Sequence, residues 1–252
     1  MRNIRVEIEY EGTNYCGWQV QNRHKPQETR NKKSIQETIE KVLREILQEK
    51  VKLIVSGRTD AGVHAKAQVA NFLTSSKTPL DKLQLGINAL LPKDIAIIGI
   101  KEVKPDFHSR FSAKSKVYQY SILNRSFPSP FLNNLAYFYM RPLDVKLMER
   151  ELKVIEGRHD FKGFQASGAK KHNTVRVVKV ARLKKSGNLI TIDIEANGFL
   201  YNMVRNIAGT LIEVGKHKLP VGTVKNVLKS KDRRLAGPTA HACGLCLVKV
   251  KY

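Results

Sequence analysis

Ile4, Val6, Ile8 and Tyr10 alternate with Arg5, Glu7 and Glu9, the period-two pattern of a strand with one buried face. Residues 11–33 are polar, carry Gly12, Gly17 and Pro26, and read as a long loop. Loops of that length are uncommon and often functional, which places this one near a ligand. The period then changes. Ser34 and Glu37 are spaced as a capping box, and Ile35, Ile39, Val42, Leu43 and Ile46 make one apolar stripe, so a helix opens there. Residues 51–55 and 67–72 read as strands, 80–91 as a helix and 95–103 as a strand. A second series starts near Phe107. It comprises a strand at 116–123, a Pro-rich loop at 127–130, a helix at 143–155, strands at 175–183 and 189–196, helices at 200–214 and 221–229, and a closing strand at 245–251.

Strands and helices recur in similar order in the two series, so the expected class is α+β. The chain divides into two similar halves, 1–106 and 107–252, with largely antiparallel sheets side by side and helices packed on one face. A chain of 252 residues with 42% hydrophobic content can bury a substantial core in each. No apolar run approaches the length of a membrane span, and the N-terminus leads into a strand rather than a signal peptide. Three cysteines argue against a disulfide framework and for a reducing, cytoplasmic compartment. Charge is the outlier. Lys and Arg number 45 against 22 Asp and Glu, a net of +23 spread along the chain rather than gathered in a tail. Such an imbalance costs stability by self-repulsion unless a polyanion offsets it, and nucleic acid is the commonest polyanion.

The densest chemistry lies in Ser56-Gly57-Arg58-Thr59-Asp60-Ala61-Gly62-Val63-His64-Ala65. Gly57 and Gly62 permit backbone angles closed to other residues and let a ligand approach the main chain. A single acid on such a loop, two residues from Arg58, suits a carboxylate kept ionised and presented to a substrate. The competing reading is an ordinary polar turn. His64, four residues past Asp60, would suit a metal pair on a helix, but Gly62 argues against helix here. His241-Ala242-Cys243-Gly244-Leu245-Cys246 holds one Cys-x-x-Cys, where a zinc site wants two such knuckles. Gly-rich phosphate-binding patterns are absent. Neither a metal nor a cofactor is expected.

The Asp60 run resembles the active-site signature of the A-type tRNA pseudouridine synthases. Other segments, in the same order, resemble that family too. They are Tyr10-Glu11-Gly12-Thr13-Asn14-Tyr15-Cys16-Gly17-Trp18-Gln19-Val20-Gln21, Phe107-His108-Ser109-Arg110-Phe111-Ser112-Ala113, Tyr118-Gln119-Tyr120, Gly198-Phe199-Leu200-Tyr201-Asn202-Met203-Val204-Arg205-Asn206-Ile207-Ala208-Gly209 and Gly237-Pro238-Thr239-Ala240 with Gly244-Leu245. His241 departs from the pattern, which usually shows Pro there.

The resemblance implies that Asp60 is the catalytic residue and that Tyr118, Arg58, Arg205 and Leu245 bind substrate around a cleft between the halves. Tyr118 and Tyr120 are read as pointing to opposite faces of their strand, Tyr118 stacking on a uracil. Arg205 falls at the edge of the apolar stripe Leu200, Met203, Val204, Ile207, Ala208, Leu211 and Ile212, where it could lean into a cleft. Its family analogue pairs with the aspartate, and such a pair keeps a carboxylate anionic. Arg58 could fill the space of an extruded nucleotide or hold its phosphate. The implied activity is isomerisation of uridine to pseudouridine in tRNA, at positions 38 to 40 of the anticodon stem-loop, by a homodimer without a small-molecule cofactor. Two other classes fit parts of the sequence: a non-catalytic basic RNA-binding protein, and a metal-dependent RNA hydrolase using Asp60 and His64.

Overall fold

The computed structural model describes residues 1–19, 33–166 and 173–252; Val20, Gln21 and Pro26 of the expected loop lie outside the described residues. In chain order the elements are β1 (Arg2–Tyr10), α1 (Ile35–Leu47), β2 (Ile54–Val55), β3 (His64–Thr74), α2 (Leu80–Leu90), β4 (Ile95–Val103), β5 (Ser115–Asn124), β6 (Tyr137–Tyr139), α3 (Val145–Lys153), β7 (Gly157–Asp160), β8 (Val175–Ser186), β9 (Leu189–Ala196), α4 (Met203–Gly215), α5 (Thr223–Ser230) and β10 (Leu245–Lys251). They form two compact units, Met1–Lys114 with Leu247–Tyr252, and Ser115–Cys246. Both are α+β, as the pattern of periods implies.

In the first unit β1 lies between β3 and β4, antiparallel to each, with Ile4 opposite Phe72 and Val6 opposite Ala70. Ile4, Val6, Ile8 and Tyr10 are buried, as their alternation requires. Ser34 accepts a hydrogen bond from the Glu37 N–H and so caps α1, whose stripe is completed by Leu47 rather than Ile46. The run 51–55 is a strand only at its end. Leu53 donates its N–H to the Glu40 carboxylate of α1 instead of to a neighbouring strand. β3 begins at His64, three residues earlier than alternation alone implies.

Residues 107–114 and the C-terminus fall with this unit rather than with the second half. Asn3 Nδ2 donates to the Phe107 carbonyl, Asn71 Oδ1 accepts from the Ser109 N–H, and Tyr252 donates its hydroxyl to the Ser109 carbonyl. The first two of those bonds draw on buried side chains of β1 and β3, and all three fix the segment that follows β4.

In the second unit the order β5-β9-β8-β7 is antiparallel, and β6 pairs with β5 in parallel. β9 alternates strictly, with Ile190, Ile192, Ile194 and Ala196 buried. α4 is almost wholly buried. Buried Glu151 of α3 accepts the N–H groups of Gly222 at 2.6 Å and Val224 at 3.0 Å, so its carboxylate caps α5 where no local side chain does. The short strands β6 and β7 are additions to the elements read from sequence.

Candidate active site

The turn that carries Asp60 is fixed from beneath and from the side. Beneath it, fully buried Gln68 of β3 donates Nε2 to the Gly57 carbonyl at 2.8 Å, and its Oε1 accepts from Ser56 Oγ at 2.7 Å. Ser56 also donates its N–H to the Val69 carbonyl. At the side, Tyr10 Oη lies 2.8 Å from Thr59 Oγ1, and Trp18 donates its N–H to the Thr59 carbonyl. Two glycines let the segment after β1 come this close. A Cβ on Gly17 would stand 2.7 Å from the Thr59 carbonyl oxygen, and one on Gly12 would stand 2.0 Å from that of Val63. Gly62, at φ +75°, closes the turn, and Val63 donates its N–H to the Asp60 carbonyl.

Asp60 is half-buried on this rigid turn and Arg58 is exposed on it. His64 is buried. Its Nδ1 accepts the Gly12 N–H at 3.0 Å and lies 3.3 Å from Glu11 Oε1, so the ring braces the incoming segment.

In the second unit Tyr118 and Tyr120 both face inward. Side chains two apart on a strand share a face, so the expectation that they diverge is corrected: Tyr118, Tyr120 and Ile122 form one buried row on β5. The Tyr118 ring meets Phe199 edge-on, centroids 5.0 Å apart. Tyr120 donates its hydroxyl to the His241 carbonyl at 3.0 Å, and burial pushes its phenol well above the usual range.

Arg205 is half-buried on the first turn of α4, as its place at the edge of the stripe implies. Its Nε donates to the Ala240 carbonyl at 2.8 Å and one terminal nitrogen to Asn202 Oδ1 at 3.3 Å. Leu245 is buried at the start of β10, its N–H on the Ala242 carbonyl. His241 Nδ1 lies 3.3 Å from Cys243 Sγ, and burial pushes the Cys243 thiol up, away from the thiolate a soft metal or an electrophile would need.

A family model for tRNA pseudouridine synthases matches residues 7–112 and 152–252. The chain is 45% identical to the tRNA pseudouridine synthase A of Thermoanaerobacter sp. (strain X514), 44% to that of Clostridium acetobutylicum and 46% to that of Caldicellulosiruptor bescii, covering 100% of this chain and of the relative in each case. The chain belongs to the tRNA pseudouridine synthase family.

As a member of that family it is an isomerase. The matched segments contain Arg58, Asp60, Arg205 and Leu245, whereas Tyr118 lies between them. What sequence reading missed in this synthase is the support. Gln68, Asn206, Arg233 and Thr239 carry most of the side-chain bonds that hold the Asp60 and Arg205 turns. Gln68 was visible only as a polar residue inside the apolar run Ala67–Phe72, and Asn206 only as a polar residue within the α4 stripe. A buried amide in either place has to be hydrogen-bonded, which is the signal that could have found both.

Proposed function

We propose that this synthase converts uridine to pseudouridine in the anticodon stem-loop of tRNA, at positions 38 to 40, with Asp60 as the nucleophile or base. The observation that carries the reading is the Asp60 turn. A carboxylate on a backbone held by Gln68, Tyr10 and Trp18 can meet a reacting nucleotide without reorganising. The relatives are tRNA pseudouridine synthases, which makes tRNA the substrate of this reading. The reaction detaches uracil from C1′ of its ribose, turns it and rejoins it through C5, so every atom of the substrate is kept. The target atoms are hidden in a base stack, and the nucleotide has to flip out to react. Tyr118 stacks on the base, Arg58 and Arg205 hold the backbone or the extruded nucleotide, and Leu245 adds apolar contact. The net charge of +23 suits a polyanionic substrate. We further propose a cytoplasmic homodimer. None of the three cysteines forms a disulfide, which suits a reducing compartment.

Incubation with unmodified tRNA followed by mapping of pseudouridine tests activity and site choice together. Asp60→Asn keeps the size and polarity of the side chain but removes the anion, so product should vanish while tRNA binding survives. Turnover by that variant at the wild-type rate would remove Asp60 from the chemistry. Tyr118→Phe should bind tRNA normally and slow the single-turnover rate.

A further inference from the structure

The segment Ala236–Ala240 lies against the first turns of α4, and each of its residues is fixed there. Arg233 donates one terminal nitrogen to the carbonyls of Ala236 and Gly237, at 3.2 and 2.9 Å. Gly237 donates its N–H to Thr210 Oγ1 at 2.9 Å. The Pro238 carbonyl rests on the helix where a Cβ on Gly209 would come within 1.8 Å of it. Thr239 donates its hydroxyl to Asn206 Oδ1 at 2.7 Å. Ala240 closes the strap: its N–H bonds the Arg205 carbonyl at 3.1 Å and its own carbonyl accepts Arg205 Nε at 2.8 Å.

Asn206 is the hub of this arrangement and is fully buried. Its oxygen takes Thr239 and the second terminal nitrogen of Arg233, at 3.1 Å, which fills both lone pairs. Its amide nitrogen donates to the Phe164 carbonyl at 2.8 Å. Such a residue does more than fill space beneath a helix, because both partners of its oxygen bear on the strap: Thr239 belongs to it and Arg233 holds its first two carbonyls. An arginine side chain carries large rotamer entropy, and a guanidinium held at Nε by a carbonyl and at a terminal nitrogen by Asn202 Oδ1 has its plane fixed.

We infer that Asn206 is a positioning residue for Arg205, acting through Thr239, Arg233 and the strap whose last carbonyl orients the guanidinium. The inference rests on the reading that Arg205 serves the substrate. Asn206 itself is too deeply buried to touch tRNA.

The test is a double-mutant cycle read as the single-turnover rate of pseudouridine formation at saturating unmodified tRNA, with tRNA Kd and melting temperature measured for each protein. Thr239 is exposed, so Thr239→Val keeps the fold and removes the hydroxyl that donates to Asn206 and accepts from the second terminal nitrogen of Arg233 at 3.4 Å. Arg205→Ala should slow the reaction about 100-fold, the size of effect that misplaced positioning groups produce. Thr239→Val should slow it about tenfold, and Asn206→Ala by at least as much if it folds. Thr239→Ser should restore the rate. In the Arg205→Ala background neither Thr239→Val nor Asn206→Ala should slow it further, since both act through the missing guanidinium. A slow Arg205→Ala whose losses multiply with those of Thr239→Val overturns the positioning role alone. A wild-type rate for Arg205→Ala overturns the Arg205 reading and this inference together. A wild-type rate for Thr239→Val also overturns the inference.

Discussion

The turns that carry Asp60 and Arg205 are each anchored by a buried primary amide, and the two amides are wired differently. Gln68 works in a dry, neutral setting: its partners are the Ser56 and Tyr10 hydroxyls, the Gly57 carbonyl and the Val69 N–H, and Tyr10 and Thr59 are buried too. Asn206 is equally buried, but its partners lead outward to the exposed Thr239 and the half-buried guanidinium of Arg233. Each arrangement suits the charge it presents. The anion stands on a turn braced by uncharged groups, while the cation is held by oxygen acceptors, the Ala240 carbonyl and Asn202 Oδ1. A dry network transmits every lost bond to stability because water cannot replace it. One that reaches the surface loses less stability and shows its losses in geometry, hence in rate.

The largest effects should be alike in the two turns, since both depend on backbone meeting backbone at glycine. Gly209→Ala gains about 1 kcal/mol of helix propensity. Its Cβ, however, would lie 1.8 Å from the Pro238 carbonyl oxygen, and the strap would have to lift. Gly12→Ala meets the Val63 carbonyl at 2.0 Å, next to the Asp60 turn. Each should cost about 3 kcal/mol or more, the upper part of the overpacking range. Chemical denaturation of both variants checks this, and a stabilised Gly209→Ala would show that the strap moves without cost.

The amides should separate the two networks. Gln68→Leu removes the bonds to the Ser56 hydroxyl and the Gly57 carbonyl, and should cost about 3 kcal/mol in global stability. Thr239→Val loses the hydroxyl of an exposed residue while Asn206 Oδ1 keeps its bond from Arg233, and should cost under about 1 kcal/mol. Equal losses in denaturation midpoints would erase the distinction between a dry and a wet network.

The elements these turns stand on were readable because their signals are local. Alternation in β1 and β9, the Ser34–Glu37 cap and the α4 stripe each need only a few consecutive residues. β6 and β7 had no such signal: Tyr137-Phe138-Tyr139 is too short to alternate, and Gly157-Arg158-His159-Asp160 is polar throughout. They are strands because the last residues of β5 pair with β6 and the free edge of β8 pairs with β7. At the site, Asp60 and its glycines stand out in one run, and resemblance drew attention to Tyr118 and Arg205. The supports did not stand out. Asn206, Arg233 and Thr239 come together only through folding, across separations of up to 33 positions, and no spacing rule joins them. The shared face of Tyr118 and Tyr120 was legible in principle, since it follows from the period of the strand.

A finer comparison comes from removing one phenol hydroxyl on each side. Tyr10→Phe deletes the partner of Thr59 Oγ1 in a setting where both residues are buried, so no water replaces it. That places the cost at about 2 kcal/mol, within the range for a buried group left unsatisfied. Tyr120→Phe deletes the partner of the His241 carbonyl, but His241 is exposed and its oxygen can be rehydrated. The ring stays, and with it the packing against Gly244, where a Cβ would come within 2.7 Å of the Tyr120 Cζ. The loss should be about 1 kcal/mol or less, near the net value of an ordinary hydrogen bond. Parallel urea titrations would read the two differences directly. If Tyr120→Phe proves the more damaging, the His241 carbonyl is drier than its exposed side chain implies, and the contrast between the two networks narrows to the charge of Arg233.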